Sequence, residues 1–366
     1  MVNYFELGPN KQLNEIVVAG SHDAGITGGG KNVQTQALDI GGQAGAGVRV
    51  FDLRIAAATV PGEHPGHTWH KGAQLRAFHA DKKLMTNETR YRHVQDVGRS
   101  MHVTRTKLRG GAFGMGLTRM LEDAKAFVES VGGRTEFLIL KFDKCLNWRM
   151  IAETCIQVLG NTLYKGGGNL NKTQLKDLQG KVIVLFSGSG MAEIRGYGQF
   201  DGILAFKNLY DKESGDHAYS PTFTGLQYYG KGGTSVTKPS KKLRQNEKKQ
   251  GKLMEGAKLL GSSEVMGMMY WTTTGLFESI RKRNEKMWSP PKVERLRRLW
   301  AQGLEEFIEF TNPFSVPPGS PAVGPLRKRF MPNIVMIDFA DDFKCQQIRD
   351  LNDLPPHELA ALGEED

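Results

Sequence analysis

A histidine and an aspartate stand side by side just after the first apolar run of the chain. The run Ile16–Gly20 is followed by Ser21, His22 and Asp23, and then by a glycine-rich stretch. Histidine is the side chain whose ordinary pKa suits proton transfer near neutral pH. The simplest interpretation is a polar loop, and the alternative is a turn that presents a general base beside a carboxylate.

A second polar pair lies in the stretch GVRVFDLRIA, residues 47–56. Alternate side chains of a strand face the same side, so Asp52 and Arg54 are predicted to project together. A buried ion pair is costly, whereas a forked guanidinium suits phosphate oxygens. A salt bridge at the rim of the fold remains an alternative, but beside His22 the pair favours a site for phosphate chemistry.

The composition indicates a folded protein with anionic partners. The chain has 366 residues, 39% of them hydrophobic, and a formal net charge of +10 at pH 7. This charge suits nucleic acid, an anionic membrane or a phosphorylated small molecule equally well. Three scattered cysteines are too few for a disulfide framework or a zinc site and favour a reducing compartment.

We expect one domain, residues 1–366 with a core over about 12–350, acting as a monomer. The polar first residues predict no signal peptide, and no apolar run reaches the roughly 18 residues that suggest a transmembrane helix. Any membrane contact is therefore expected to be peripheral. The location stays open between the cytoplasm and export without a cleaved signal.

The order of apolar runs and helical patterns predicts an α/β fold, a closed (β/α)8 barrel of the TIM-barrel type. About eight runs alternate with amphipathic helices, and an open doubly wound sheet is the alternative. The predicted strands are Ile16–Gly20, Val48–Ile55, one near Leu75–His79 or Met101–Thr104, Glu136–Phe142, Lys181–Phe186, Gly202–Phe206, Val265–Thr272 and Asn333–Ala340. In a closed barrel the first and last strands are neighbours, which would bring His22 and Asp338 to one mouth.

Several of these segments resemble the X-domain of phosphatidylinositol-specific phospholipases C. The resemblance lies in AGSHDAG, then in AGVRVFDLRIA about 25 residues later, and in EFLILKFDK, KVIVLF and NIVMIDFAD. These segments are spread over residues 16–341, although the part from 187 to 330 matches only loosely. Glycerophosphodiesterases share the barrel but begin with a His-Arg pair and carry a metal-binding Glu-x-Asp, which differ from His-Asp and Asp-x-Arg here.

The resemblance implies a phospholipase C-like barrel and a phosphorus–oxygen lyase reaction. The inositol 2-hydroxyl would attack the phosphodiester and expel diacylglycerol, leaving inositol cyclic phosphate. By motif position His22 corresponds to the general base and Arg54 to the arginine that stabilises charge on the phosphate. Asp23 and Asp338 correspond to the carboxylates that orient two histidines.

The second histidine, the general acid, is ambiguous between two positions. The family places it on the third strand, shortly before a helix that resembles GLTRMLEDAKAFV here. His102 lies nearer to that helix and is preferred. His79 lies in the better apolar strand but requires a long insertion after it, and it is kept as the alternative.

The resemblance also implies a substrate-binding group and the absence of a cofactor. Asp52, Lys141, Asp143 and Tyr229 are expected to bind the substrate. Calcium-using relatives carry an acidic ligand where this chain has Arg54, so a metal-independent site is expected. A divalent cation at Asp52 and Asp143 is the alternative.

The segment 231–252 packs lysines and an arginine around Glu247. A solvated loop and helix face is the simplest interpretation, and contact with anionic lipid headgroups is the functional one. The expected partner is a phosphoinositide lipid at a membrane surface, with no nucleic acid. The alternative function is an inert basic protein that binds phosphoinositide or nucleic acid.

Overall fold

The structure is a computed structural model. It describes the backbone over residues 1–58, 74–94, 99–210, 218–232, 234–236, 242–257, 264–275, 279–311 and 332–354. Within these ranges the side chains of 91–94, 99–102, 234–236, 242–244, 254–257, 274–275 and 301–311 are not described.

The described chain contains fifteen strands and nine α-helices. The strands are β1 (Val18–Ser21), β2 (Val48–Leu53), β3 (Ile55–Ala58), β4 (Gln74–His79), β5 (Met85–Val94), β6 (Arg99–Leu108), β7 (Ala112–Gly116), β8 (Phe137–Phe142), β9 (Lys181–Phe186), β10 (Ile203–Asn208), β11 (Gly225–Gly230), β12 (Thr234–Val236), β13 (Met266–Tyr270), β14 (Thr273–Gly275) and β15 (Pro332–Ile337). The helices are α1 (Ile40–Ala46), α2 (Leu117–Glu129), α3 (Trp148–Leu159), α4 (Leu175–Leu178), α5 (Gly188–Glu193), α6 (Lys242–Ala257), α7 (Ile280–Met287), α8 (Pro290–Thr311) and α9 (Asp342–Arg349).

Eight of the strands close into a parallel barrel, which confirms the predicted (β/α)8 architecture. Around the barrel the order is β1, β15, β13, β11, β10, β9, β8 and β2. The first and last strands pair along the whole of β1, from Val18 opposite Ile334 to Ser21 opposite Ile337. The carboxyl ends of all eight strands therefore meet at one mouth, where barrel enzymes place their chemistry.

The core fills the barrel and the layer between the barrel and its helices. Every residue of β2, β8 and β15 is buried, as expected for parallel strands covered on both faces. The amphipathic helix α2 buries its apolar stripe, including Leu117, Met120 and Leu121, against this core. In the described part of the chain, no helix has the length and apolar character needed to cross a membrane.

The barrel has the predicted number of eight strands, but the segment predicted as its third strand does not belong to it. Neither Leu75–His79 nor Met101–Thr104 contributes to the barrel. Both lie in a separate five-stranded sheet with the order β5, β6, β3, β4, β7, which is inserted between β2 and β8. The missing barrel strand is β11, whose sequence GLQYYG carries glycines and two tyrosines and therefore lacks a continuous aliphatic run.

The end of the barrel opposite the mouth is held by a buried ion pair. The Arg49 Nε atom donates to Oε2 of Glu136 over 2.6 Å, and both side chains are fully buried. The other carboxylate oxygen accepts from the backbone amides of Tyr4 and Phe5. Arg49 in turn donates to the carbonyls of Val2, Ala44 and Val48, so the pair attaches the N-terminal segment to the barrel.

We predict that Glu136→Ala lowers the free energy of unfolding by roughly 3–5 kcal/mol, because it leaves a buried guanidinium without its charge partner. Urea unfolding followed by far-UV circular dichroism measures the change. Glu129→Ala, on the exposed side of α2, is the matched control and should change stability by less than about 0.5 kcal/mol. Equal effects of the two substitutions would contradict the role given to Glu136.

Candidate active site

The mouth of the barrel brings a histidine and an aspartate from opposite ends of the chain into contact. His22 follows β1 and its backbone amide donates to the carbonyl of Ile337 over 3.0 Å. Its ring Nδ1 lies 3.0 Å from Oδ1 of Asp338, which is fully buried. The predicted contact between these two residues therefore occurs, and it leaves Nε2 as the ring nitrogen that Asp338 does not contact.

Asp23 is the centre of a second group. Its carboxylate makes a bidentate contact with Arg54, whose Nε lies 2.7 Å from Oδ1 and whose Nη2 contacts Oδ2. The Nδ1 atom of His79 lies 2.5 Å from the same Oδ2 atom, and His22 Nε2 lies 3.6 Å away from it. One buried carboxylate thus contacts two imidazoles and a guanidinium.

The backbone holds Asp23 in a conformation that an L-residue seldom adopts. Its φ angle is +44°, in the left-handed region. The Thr35 hydroxyl donates to the Asp23 carbonyl over 2.9 Å, and the fully buried Gln36 side chain donates to the carbonyls of His22 and Ile337. Thr35 and Gln36 were missed in the sequence because a polar residue in a loop carries no pattern that indicates burial.

The charges in this group perturb its proton equilibria. Burial alone would lower the pKa of His22, but the Asp23 and Asp338 carboxylates outweigh it and raise this pKa to about 9. Burial would raise the pKa of Asp23, but His22, Arg54 and His79 hold it well below its usual range. Burial raises the pKa of Asp338 although His22 opposes the shift, and Asp338 Oδ2 has no hydrogen-bond partner among the described residues.

A lysine lies deeper in the mouth, between two of the predicted substrate-binding carboxylates. Lys141 is buried at the end of β8, with Nζ 2.8 Å from Oδ1 of Asp52 and 3.5 Å from Oδ2 of Asp143. The Tyr270 hydroxyl donates to Oδ2 of Asp52 over 3.4 Å, and its ring meets that of His22 edge-on. Asp52 therefore pairs with Lys141 and Arg54 pairs with Asp23, instead of Asp52 and Arg54 pairing with each other.

The two adjacent tyrosines of β11 have different surroundings. Tyr228 is buried and its ring lies 5.9 Å from Lys141 Nζ. Tyr229, the predicted substrate-binding residue, meets the ring of Tyr210 at 5.4 Å. Because neighbouring side chains of a strand face opposite sides, the structure brings Tyr228 and not Tyr229 to the lysine.

The structure describes the side-chain surroundings of one of the two candidate general acids, His79. His79, at the end of β4, contacts Asp23 and lies 3.1 Å from Arg54 Nη2. His102 lies in β6, where its backbone pairs with that of Tyr91 in β5, and its side chain lies outside the described residues. The hairpin β5–β6 is the long insertion that a general acid at His79 requires, and it accounts for the distance along the chain between His79 and α2.

The arrangement can move protons on both sides of a bound phosphate. His22 contacts Asp338, and His22, His79 and Arg54 all lie against the Asp23 carboxylate, a combination of imidazoles and a guanidinium that suits acid and base catalysis around an anionic group. No group of three or more His, Cys, Asp or Glu side chains in the described ranges is arranged to hold a metal ion. A cation between Asp52 and Asp143 would have to displace the Lys141 ammonium.

We predict that the His22 imidazole titrates near pH 9 in the folded protein and shifts toward 6.5 in Asp338→Asn. A raised folded-state pKa stabilises the fold fully below the unfolded value near 6.5, and this contribution is lost as the pH rises to about 9. The loss is on the order of 3 kcal/mol, and it should be smaller in Asp338→Asn. NMR titration of the imidazole and urea unfolding at several pH values measure both effects, and a wild-type midpoint at or below 6.5 would contradict the ion-pair geometry.

Comparison with solved structures shows which known fold this is. A phosphatidylinositol-specific phospholipase C of S. aureus superposes with a TM-score of 0.52 over 95% of this chain and 96% of its own, at 15% sequence identity. A double mutant of the S. aureus enzyme gives 0.50, with 96% of each chain covered and 15% identity. No family model and no curated protein matches the sequence. The chain thus has the barrel fold of the S. aureus phosphatidylinositol-specific phospholipase C.

Proposed function

We propose that the chain is a phosphodiesterase that cleaves phosphatidylinositol, or a related phosphodiester lipid, into diacylglycerol and an inositol cyclic phosphate. The observation that carries the proposal is the pair of carboxylate–histidine contacts, His22 with Asp338 and His79 with Asp23, together with the contact of Arg54 with Asp23. The solved structures of the same fold are named as phosphatidylinositol-specific phospholipases C, which supports the substrate class.

His22 is proposed as the general base. Its Nδ1 is held by Asp338, so Nε2 takes the proton of the inositol 2-hydroxyl as that oxygen attacks phosphorus. The carboxylate holds the tautomer and stabilises the imidazolium that forms. Because the pKa of His22 is raised to about 9, the neutral ring is the minority form at pH 7, and we expect kcat/KM to rise with pH toward that value.

His79 is proposed as the general acid, in place of His102, which the sequence favoured. Its Nδ1 contacts Asp23, so Nε2 gives a proton to the glycerol oxygen as the bond from that oxygen to phosphorus breaks. The proton removed by His22 and the proton supplied by His79 balance the reaction. The assignment rests on the contacts of His79 with Asp23 and Arg54.

Arg54 and Lys141 are proposed to bind the negative charge and the sugar. The Arg54 side chain is one-fifth exposed at the mouth, and it can present its donors to the phosphoryl oxygens as charge develops there. Asp52 and Lys141 are more buried than Arg54, Asp143 is more exposed, and all three suit hydrogen bonds with inositol hydroxyls. Tyr228 and Tyr270 border this group.

The alternative function, an inert basic protein that binds phosphoinositide or nucleic acid, predicts binding without turnover. The complete set of proton-transfer groups favours the enzyme, because simple binding of an anion needs no carboxylate behind each histidine. The basic segment 231–252 is described only in part. Within it, Lys231 donates to the Tyr210 hydroxyl and Lys249 contacts the Gly232 carbonyl, and its contact with lipid stays a prediction.

We predict that His79→Ala lowers kcat on phosphatidylinositol by roughly 10²–10⁴-fold, because the alkoxide leaving group needs a proton. The same variant should recover most of its activity on an inositol phosphodiester whose leaving group is an acidic phenol. His22→Ala should be impaired on both substrates, because activation of the 2-hydroxyl is needed whichever group leaves. Steady-state rates on the two substrates make the comparison.

His102→Ala is the matched control for the leaving-group experiment and should behave like the wild type on both substrates. If His102→Ala shows the rescue instead, the general acid is the one that the sequence favoured. Unchanged rates in both His79→Ala and His22→Ala would contradict the proposed mechanism as a whole.

We predict that the rate on phosphatidylinositol is the same in excess EDTA and in millimolar calcium. The reason is that Lys141 Nζ lies between Asp52 and Asp143 and Arg54 supplies the positive charge at the phosphate. Initial rates over a calcium titration measure this. Loss of activity on chelation, restored by calcium, would show that the carboxylates bind a cation during turnover.

A further inference from the structure

A short turn with an exposed leucine lies directly beside the candidate site. A 3-10 turn, Lys82–Leu84, begins three residues after His79, so at most roughly 11 Å of extended chain separates its first residue from that histidine. Both lysines are exposed, and Leu84 keeps 42% of its surface accessible. An apolar side chain beside two lysines combines the two features that favour contact with an anionic membrane interface.

Two more basic residues lie against this turn from the other side of the hairpin. The backbone amide of Arg109 donates to the Leu84 carbonyl over 2.8 Å, and Lys107 pairs with Thr86 at the end of β6. Both Lys107 and Arg109 are exposed. We name these five residues, Lys82, Lys83, Leu84, Lys107 and Arg109, the basic turn.

The basic turn is held in place by its own hydrogen bonds. The Asp81 carboxylate accepts from the Lys83 amide over 3.0 Å, and the Asp81 carbonyl accepts from the Leu84 amide over 2.8 Å. The hairpin is attached to the barrel where Asn147 donates to the Thr104 carbonyl over 2.8 Å and accepts from its amide over 2.6 Å. A fixed surface binds a partner with a smaller loss of conformational entropy than a mobile one.

The strand directions place the basic turn on the mouth side of the barrel. β3 continues the chain beyond the carboxyl end of β2, and β6 runs parallel to β3 with Ala58 opposite Thr106. The carboxyl end of β6, and with it the basic turn, therefore lies on the side from which a substrate enters.

The exposed Phe343 has a different electrostatic setting from Leu84. Phe343 is 58% exposed at the start of α9, but it follows Asp341 and Asp342. An anionic surface would be repelled there and attracted at the basic turn, where the only acidic neighbour along the 3-10 turn, Asp81, caps that turn.

We propose that the basic turn is a membrane-docking surface for anionic lipid, in which the lysines and arginine contact lipid phosphates and Leu84 enters the interface. The inference rests on the proposed function, since a lipid-cleaving enzyme must present its mouth to the bilayer. Each basic residue near an anionic surface strengthens binding by roughly fivefold, and this gain weakens as salt is added.

The test measures binding to phosphatidylcholine vesicles that contain phosphatidylglycerol but no phosphatidylinositol, so no turnover is involved. We expect Lys82→Gln/Lys83→Gln to weaken binding by roughly 25-fold and Leu84→Ser by roughly threefold to tenfold. The matched control is Lys11→Gln/Lys176→Gln, which removes two exposed lysines from the segments that precede β1 and β9, at the end of the barrel opposite the mouth. It should leave binding within about twofold of the wild type.

Rates on a water-soluble inositol phosphodiester accompany the binding assay, and the turn variants should match the wild type there. If neither the wild type nor any variant turns over the substrate, but the turn variants still lose vesicle binding, the proposed enzyme activity is rejected and the docking surface is kept. Three results would overturn the docking surface itself: no binding by the wild type, a loss of binding in the control variant as large as in the turn variants, or turn variants that lose affinity for single-stranded RNA but not for vesicles.

Discussion

The buried carboxylate of Asp23 is the interaction on which the mouth of this barrel depends. It is 2% exposed and contacts Arg54 and His79 directly, with His22 nearby. An isolated buried charge would be strongly unfavourable, and the surrounding positive groups offset that cost. The same contacts fix the directions of a guanidinium and an imidazole, so one ionised group organises most of the chemistry that we assign to the site.

Two parts of the fold have to cooperate to build this group. Closure of the barrel brings β1 beside β15 and thereby His22 beside Asp338. The inserted sheet supplies the other half, because β4 runs antiparallel to β3 and ends with His79 at the level of Arg54, whose carbonyl accepts from the Phe78 amide. The proposed base and its carboxylate thus belong to the barrel, and the proposed acid belongs to the insertion.

The barrel and its first-to-last contact were predictable from the sequence, because continuous apolar runs and the His-Asp motif are local signals. The choice between His79 and His102 was not, since it depends on where a hairpin of two long strands is inserted, and spacing alone cannot show that. The sequence could not show which of Tyr228 and Tyr229 faces Lys141, because this depends on the direction of each side chain in β11. Gln36 carries no sequence signal at all, because its role comes entirely from burial between two strand ends.

We propose that this mouth makes a cyclic phosphodiester and that the Asp23 carboxylate is needed for the reaction. Phosphorus NMR of phosphatidylinositol in detergent micelles, followed over time with excess EDTA, tests it most directly. We predict that the first new resonance is that of inositol cyclic phosphate, and that Asp23→Asn forms it at least about 100-fold more slowly. A phosphomonoester as the first product, no phosphorus-containing product, or an Asp23→Asn variant as fast as the wild type would contradict the account.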